Sequence, residues 1–255
     1  MIQTRIQTTA TGAILFDTAV AEHADEAWFD AAAWRARGVP NAVGRGQALF
    51  VDLPFGPCVL RHYRRGGLMA RMNADNYLWI GAKRTRAFRE FRLLAELHDA
   101  GLPVAAPVAA RYQRDGLRYR ADLITRQVVN SMTLAQRLAA QTLDSEMGMR
   151  IGRCIAAFHA RGIWHADLNA HNVLLDVAAN PVLIDFDRGR KRRVDYHWQQ
   201  SNINRLRRSL LKLGAKASDT TFEQGFWHPL LAAYHAELGN TALPFAAGKN
   251  SEGSA

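Results

Sequence analysis

The residues able to do chemistry concentrate between Trp164 and Arg190, in the run WHADLNAHNVLLDVAANPVLIDFDRGR. It holds His165-x-Asp167, then Asn172 five residues after that aspartate, then a short apolar stretch ending in Ile184-Asp185-Phe186-Asp187. A carboxylate can orient a hydroxyl and take its proton, and carboxylate and amide oxygens are what hard divalent cations accept as ligands. A hydrophobic strand ending in Asp185 would deliver that group rigidly into a cleft. His165 is expected to orient the loop rather than react. An isolated H-x-D carries almost no information; its combination with Asn172 and the I-D-F-D end is far more specific. His159, His165 and His171 match no zinc spacing and neither cysteine joins them, so no structural metal is expected.

The elements that must position this run can be read from periodicity and punctuation. Ala13–Phe16, Gln47–Val51 and Pro57–Tyr63 read as strands set off by Gly and Pro. Asp25–Arg37 reads as a short helix ended by Gly38 and Pro40. Residues 83–100 place Phe88, Phe91, Leu94 and Leu97 on one helical face. Strands follow at Val108–Tyr112 and Tyr119–Val129, then a helix over Ser145–Arg161 with Met147, Ile151, Ile155 and Phe158 in one stripe. Short strands at Ile163–His165, Val173–Asp176 and Val182–Asp185 bracket the chemical run, and Asn202–Leu213 and Phe226–Leu238 read as helices. The outline is strands with one helix, then mostly helices: two lobes of unlike composition.

Charge is concentrated too. The 255 residues carry a net +10, yet residues 61–92 alone carry +7 and residues 188–216 carry +9, so the rest is acidic. Such windows fit an anionic partner: a phosphorylated ligand, an anionic membrane or nucleic acid. No zinc-finger, RNP-type or basic-heptad pattern appears, so nucleic acid is not the expected partner. Cys58 and Cys154 make no disulfide framework, which fits a reducing compartment. No run approaches the roughly 20 apolar residues of a membrane span, and no secretory signal is read at the N-terminus.

The H-x-D-x-x-x-x-N run followed by D-F resembles the catalytic and metal-binding loops of the protein-kinase-like superfamily. That resemblance implies an α+β fold: a bilobal protein-kinase-like architecture with an antiparallel-sheet N-lobe and a mainly helical C-lobe. It implies phosphoryl transfer from ATP, with Asp167 taking the acceptor's proton and Asn172 and Asp185 holding magnesium. Upstream it calls for a glycine-rich hairpin, where Gly44 and Gly46 stand without a third glycine. It also calls for a phosphate-binding lysine on the third strand, a place taken here by Arg61, and a partner glutamate on the next helix, Glu90. An arginine offers a planar fork where lysine offers a point charge. Other departures are Asn169 where protein kinases commonly carry lysine, Asp187 in place of the glycine of D-F-G, and no A-P-E. With little room for an activation segment, a small molecule or lipid is the expected acceptor. Arg188 or Arg190 is the nominee for stabilising the transferred phosphoryl, and Thr125–Met132 for lining the adenine.

Further phrases narrow the resemblance: Arg61-His62-Tyr63-Arg64-Arg65-Gly66-Gly67, Tyr77-Leu78-Trp79, Thr85–Phe91, Gly101-Leu102-Pro103-Val104, Asp167–Asn172, Ile184–Gly189 and Asn204–Leu210. Over roughly residues 40–235 the chain is similar to the 3-deoxy-D-manno-octulosonic acid (Kdo) kinases of Gram-negative lipopolysaccharide biosynthesis. This implies ATP-dependent phosphorylation of the Kdo 4-hydroxyl on a lipid A precursor, at the cytoplasmic face of the inner membrane. It also implies peripheral attachment to that anionic surface. The segment Gly66–Gly81, through Leu78 and Trp79, is expected to touch lipid or acceptor. The expected division is residues 1–129, residues 130–247 and a disordered tail, 248–255. Alternatives are a heptose or other small-molecule kinase, an inactive kinase-like binding module, and a nucleic-acid binder.

Overall fold

The structure, a computed structural model, describes residues 1–39, 48–64, 76–216 and 218–241. Gly44, Gly46, most of the Gly66–Gly81 segment and the tail lie outside the described residues.

Period-two alternation builds the N-terminal half. β1 (Thr4–Thr8), β2 (Gly12–Asp17), β3 (Ala48–Leu53), β4 (Gly56–His62), β5 (Tyr77–Leu78), β6 (Pro107–Asp115) and β7 (Arg118–Arg126) form one antiparallel sheet. Its order is β1-β2-β6-β7-β4-β3, with β5 also paired to β7. On β4, Cys58 and Leu60 face an outer cluster with Ile14, Phe16, Leu49, Val51 and Ile124, while Tyr63, just past its end, joins the inner one. Trp28 and Phe29 cover the outer cluster, helped by Trp34 of α1 (Ala31–Ala36). The inner face packs on α2 (Arg86–Asp99), whose Phe88, Phe91, Leu94 and Leu97 are buried as their spacing requires. Full burial of a phenylalanine is worth about 2–3 kcal/mol, so this stripe fixes α2 to the sheet.

In the C-terminal half, α3 (Leu134–Ala139), α4 (Ser145–Ala160), α5 (Tyr196–Lys212) and α6 (His228–Thr241) dominate. Small ladders join β8 (Met132–Thr133), β10 (Val173–Leu175) and β11 (Pro181–Leu183), and β9 (Ile163–Trp164) with β12 (Arg190–Lys191). Gly148 and Gly152 let α4 approach its neighbour closely: an added Cβ would meet the Phe226 and Leu230 carbonyl oxygens at 2.4 and 2.2 Å. Leu183 N–H donates to the Pro103 carbonyl at 2.9 Å, tying β11 to the turn after α2. One continuous core runs from the inner sheet face through α2 into α4, α5 and α6.

Several elements differ from their sequence expectation for local reasons. The helix expected over Asp25–Arg37 is a 3₁₀ turn, Glu26–Phe29, followed by α1, because the Asp30 carboxylate breaks it by capping Ala32 and Ala33 N–H. α5 starts at Tyr196, six residues before the expected Asn202, where Asp195 caps His197 and Trp198 N–H. α3 carries no long apolar repeat and starts from a capping box between Thr133 and Gln136. Arg61 sits on the fourth described strand rather than the third, because β1 precedes the strand expected at Ala13–Phe16. Of the pair expected to touch lipid or acceptor, Trp79 packs on Tyr112, 4.9 Å between centroids, while Leu78 is exposed. Both cysteines are free and buried, and burial pushes their thiols up, Cys154 to about 12.

Candidate active site

His165 organises the loop after β9. It is buried, and burial keeps its ring neutral against the pull of the Ile184 carbonyl and of the Asp185 and Asp167 carboxylates. The Asp167 N–H donates to Nδ1 at 3.1 Å, so the proton sits on Nε2, which donates to the Ile184 carbonyl at 2.9 Å. One neutral imidazole thus joins the loop of Asp167 to the strand end that carries Asp185. From α5, Asn202 accepts from His165 N–H at 3.3 Å and donates to its carbonyl at 3.0 Å. Ser209 Oγ accepts from Ala170 N–H at 2.9 Å, and Asn172 Nδ2 donates to the Asp167 carbonyl at 2.9 Å. Held on all sides, the Asp167 side chain still projects outward, 60% exposed. Its Oδ2 accepts from Asn169 Nδ2 at 3.0 Å, and its Oδ1 lies 3.5 Å from Arg205.

Past Ile184, at the strand end that carries Asp185, charges meet. The Arg61 guanidinium, on β4, pairs with both Glu90 of α2 and Asp185. Tyr63 Oη donates to Glu90 Oε2 at 2.5 Å and accepts from Arg61 at 3.2 Å. Burial works against the charged Arg61, but Asp185 and then Glu90 outweigh it and hold the guanidinium firmly protonated. For Asp185 burial raises the pKa, yet Arg61, by charge and by hydrogen bond, and Arg86 leave it below the usual carboxylate range. Glu90 goes the other way: complete burial raises it despite Arg61. Asp185 has φ +62° and Arg188 has φ +60°. A non-glycine residue in that region costs on the order of 1–3 kcal/mol, so the turn persists because its neighbours hold it. Among those holds is Asp187, which takes a bidentate contact from Arg86 at the start of α2, through Nε at 2.8 Å and through Nη2.

The sequence-expected Arg61, Glu90 and Asp185 therefore converge in direct contact, and His165, Asp167 and Asn172 share the adjoining loop. Arg188 is exposed and makes no ion pair among the described residues. Arg190 stacks on Trp164 at 5.1 Å.

The profile of the lipopolysaccharide kinase (Kdo/WaaP) family matches residues 30–234, which takes in this whole constellation. The chain belongs to that family. It is 49% identical over 210 residues to a 3-deoxy-D-manno-octulosonic acid kinase of Xanthomonas axonopodis pv. citri (strain 306), covering 81% of this chain and 83% of the relative. It is 50% identical over 206 residues to the enzyme of that name from Xanthomonas campestris pv. campestris (strain B100), covering 79% and 81%. It is 46% identical over 208 residues to the one from Stenotrophomonas maltophilia (strain K279a), covering 81% and 83%.

Two features of this Kdo/WaaP-family kinase were not assigned from sequence. One is the Arg86–Asp187 clamp, with Arg86 also donating to Tyr77 Oη at 2.8 Å and stacking on its ring at 4.8 Å. Its signal was the acid in place of a glycine at position 187, which needs a cation. The other is Arg205 beside Asp167, hidden in a basic window that reads only as a whole, as fitting an anionic partner, and singles out no one arginine. A divalent cation fits the donor set chemically. Asn172 is oriented through its Nδ2, leaving Oδ1 without a hydrogen bond among the described residues, and Arg61 takes only Oδ1 of Asp185. Both residues thus keep a hard oxygen to offer. No group of three or more His, Cys, Asp or Glu side chains suited to a metal ion occurs among the described residues.

Proposed function

We propose that this kinase transfers the terminal phosphoryl group of ATP to the 4-hydroxyl of Kdo on a lipid A precursor. The observation that carries the reading is Asp167. An exposed carboxylate stands on a loop otherwise locked by backbone hydrogen bonds, and His165 ties that loop to the strand end whose Asp185 pairs with Arg61, in a chain whose relatives bear the Kdo kinase name. In this reading Asp167 positions the sugar hydroxyl for in-line attack and accepts its proton as the new P–O bond forms. Arg61, braced by Glu90, holds the nucleotide phosphates. Asn172 and Asp185 would hold magnesium, which when bound neutralises phosphate charge. His165 keeps the Asp167 and Asp185 segments in register and exchanges no proton.

The basic windows at 61–92 and 188–216 support an anionic acceptor and peripheral attachment to the cytoplasmic face of the inner membrane. No helix among the described residues is long and apolar enough to cross a membrane.

The test is mass spectrometry of a Kdo-bearing lipid A precursor incubated with the protein, ATP and magnesium. One phosphate is expected to be gained on the Kdo 4-hydroxyl, and Asp167→Ala to reduce its formation by about 10²–10⁴-fold with an unchanged fold. No gain with ATP bound would point to another acceptor, such as a heptose. No gain and no ATP binding would favour a binding module.

A further inference from the structure

α5 meets the catalytic loop along a single stripe. Asn202, Arg205 and Ser209 stand at i, i+3 and i+7, one helical face, and reach residues 165, 167 and 170 in turn. The outer two close on backbone: Asn202 on both polar groups of His165, and Ser209 on Ala170 N–H while donating to the Leu206 carbonyl at 2.8 Å. The middle one does not close. The Arg205 side chain is 43% exposed, and among the described residues its polar contact is a single approach of 3.5 Å to Asp167 Oδ1. A guanidinium carries five N–H donors in a plane whose fork matches a carboxylate. Arg61 and Arg86 have their forks taken by Glu90, Asp185 and Asp187. Arg205 keeps its fork open, on a helix locked to the loop on either side of it, next to the residue expected to receive the sugar hydroxyl. The relatives act on an octulosonic acid, so a carboxylate comes with the sugar by name.

We propose that Arg205 is a specificity-determining residue that takes the carboxylate of the acceptor sugar in a two-pronged contact and so sets the sugar's hydroxyl against Asp167. The proposal rests on the reading of the acceptor as a sugar acid. It involves binding only: no bond is made or broken at Arg205.

The experiment compares the native enzyme, Arg205→Gln and Arg205→Lys on a Kdo-bearing lipid A precursor and on the same molecule with the Kdo carboxyl methylated. The native enzyme is expected to favour the free acid by about 10–100-fold in kcat/KM, the range of a lost charge-assisted pair. In Arg205→Gln that preference falls to about one, through a raised acceptor KM with the KM for ATP unchanged. Arg205→Lys, which keeps the charge but not the fork, falls between. An acid preference that survives in Arg205→Gln overturns the proposal. So does an equal loss of turnover on acid and ester, which would place Arg205 on the transferred phosphoryl or behind Asp167. If the native enzyme phosphorylates neither form, the sugar-acid reading itself falls and the proposal with it.

Discussion

The segment bearing Asp167 and the segment bearing Asp185 lie side by side, joined through His165 and Ile184, yet opposite forces hold them. Neutral groups aimed at backbone fix the first: His165, Asn172, Asn202 and Ser209. Ion pairs reaching across from the sheet and α2 fix the second: Arg61 with Asp185 and Glu90, and Arg86 with Asp187. The difference follows from what each segment must do. In the proposed function the proton acceptor has to stay where the hydroxyl arrives, and a hydrogen bond between backbone and a buried amide has no charge to be drawn elsewhere. In the proposed function the charged side takes an anionic nucleotide, and its ion-pair partners are the groups that would re-pair with phosphate.

The comparison can be broken most forcefully at Glu90. Removing one member of a buried ion pair leaves the other uncompensated and costs about 3–5 kcal/mol. Glu90→Ala is therefore expected to lower stability by that order in a urea titration, and Glu90→Gln by less, since it keeps an acceptor for Tyr63 and Arg61. Equal midpoints for native and Glu90→Ala would mean that the charged side is held by packing alone.

Acid should separate the two sides next. On the neutral side, burial lowers His159 to about 4, against a hydrogen bond with Asn202. A histidine depressed on folding contributes stability that is full above about pH 6.5 and is lost as pH falls toward 4, about 3 kcal/mol in all. His165 is lowered as well and acts in the same direction. The Asp185 carboxyl lies below its ordinary value, so its contribution is full above the unfolded carboxylate range and is lost only in stronger acid. Denaturant midpoints between pH 7.5 and 4.5 should fall in the native protein and fall less steeply in His159→Gln. Parallel slopes would remove the buried histidine from the account.

The finest test is a double-mutant cycle on Arg86 and Asp187, both partly exposed. A coupling of about 1 kcal/mol in stability is expected, with Arg86→Ala and Asp187→Ala non-additive. Additive effects would leave the Asp185 turn without its second anchor.

Most of the neutral side was legible in the sequence because it is local: His165, Asp167 and Asn172 fall within eight residues, and strand ends and a helix stripe frame them. Arg61 and Glu90 were legible only through the resemblance, which supplied a strand position and a helix position that folding then brought together. The Arg86–Asp187 clamp joins residues 101 apart and leaves no periodic trace. Asn202 and Ser209 were invisible for another reason: their partners are backbone groups, which every residue has. The covering of the outer sheet face by Trp28, Phe29 and α1 was likewise unreadable, since a single helix was expected there and Asp30 divides it.

The unbroken core between the sheet and the helices bears on how the cleft can move. Leu102, Val104, Leu183 and Phe186 pack in the same interior as α2 and α4, and β11 is hydrogen-bonded to the turn after α2. A chain connection alone could pivot freely, but close-packed side chains yield only by small sliding steps. The two halves are therefore geared to each other: any movement of α2 against the helical half is confined to shear, and Glu90 and Arg86, riding on that one helix, would travel together.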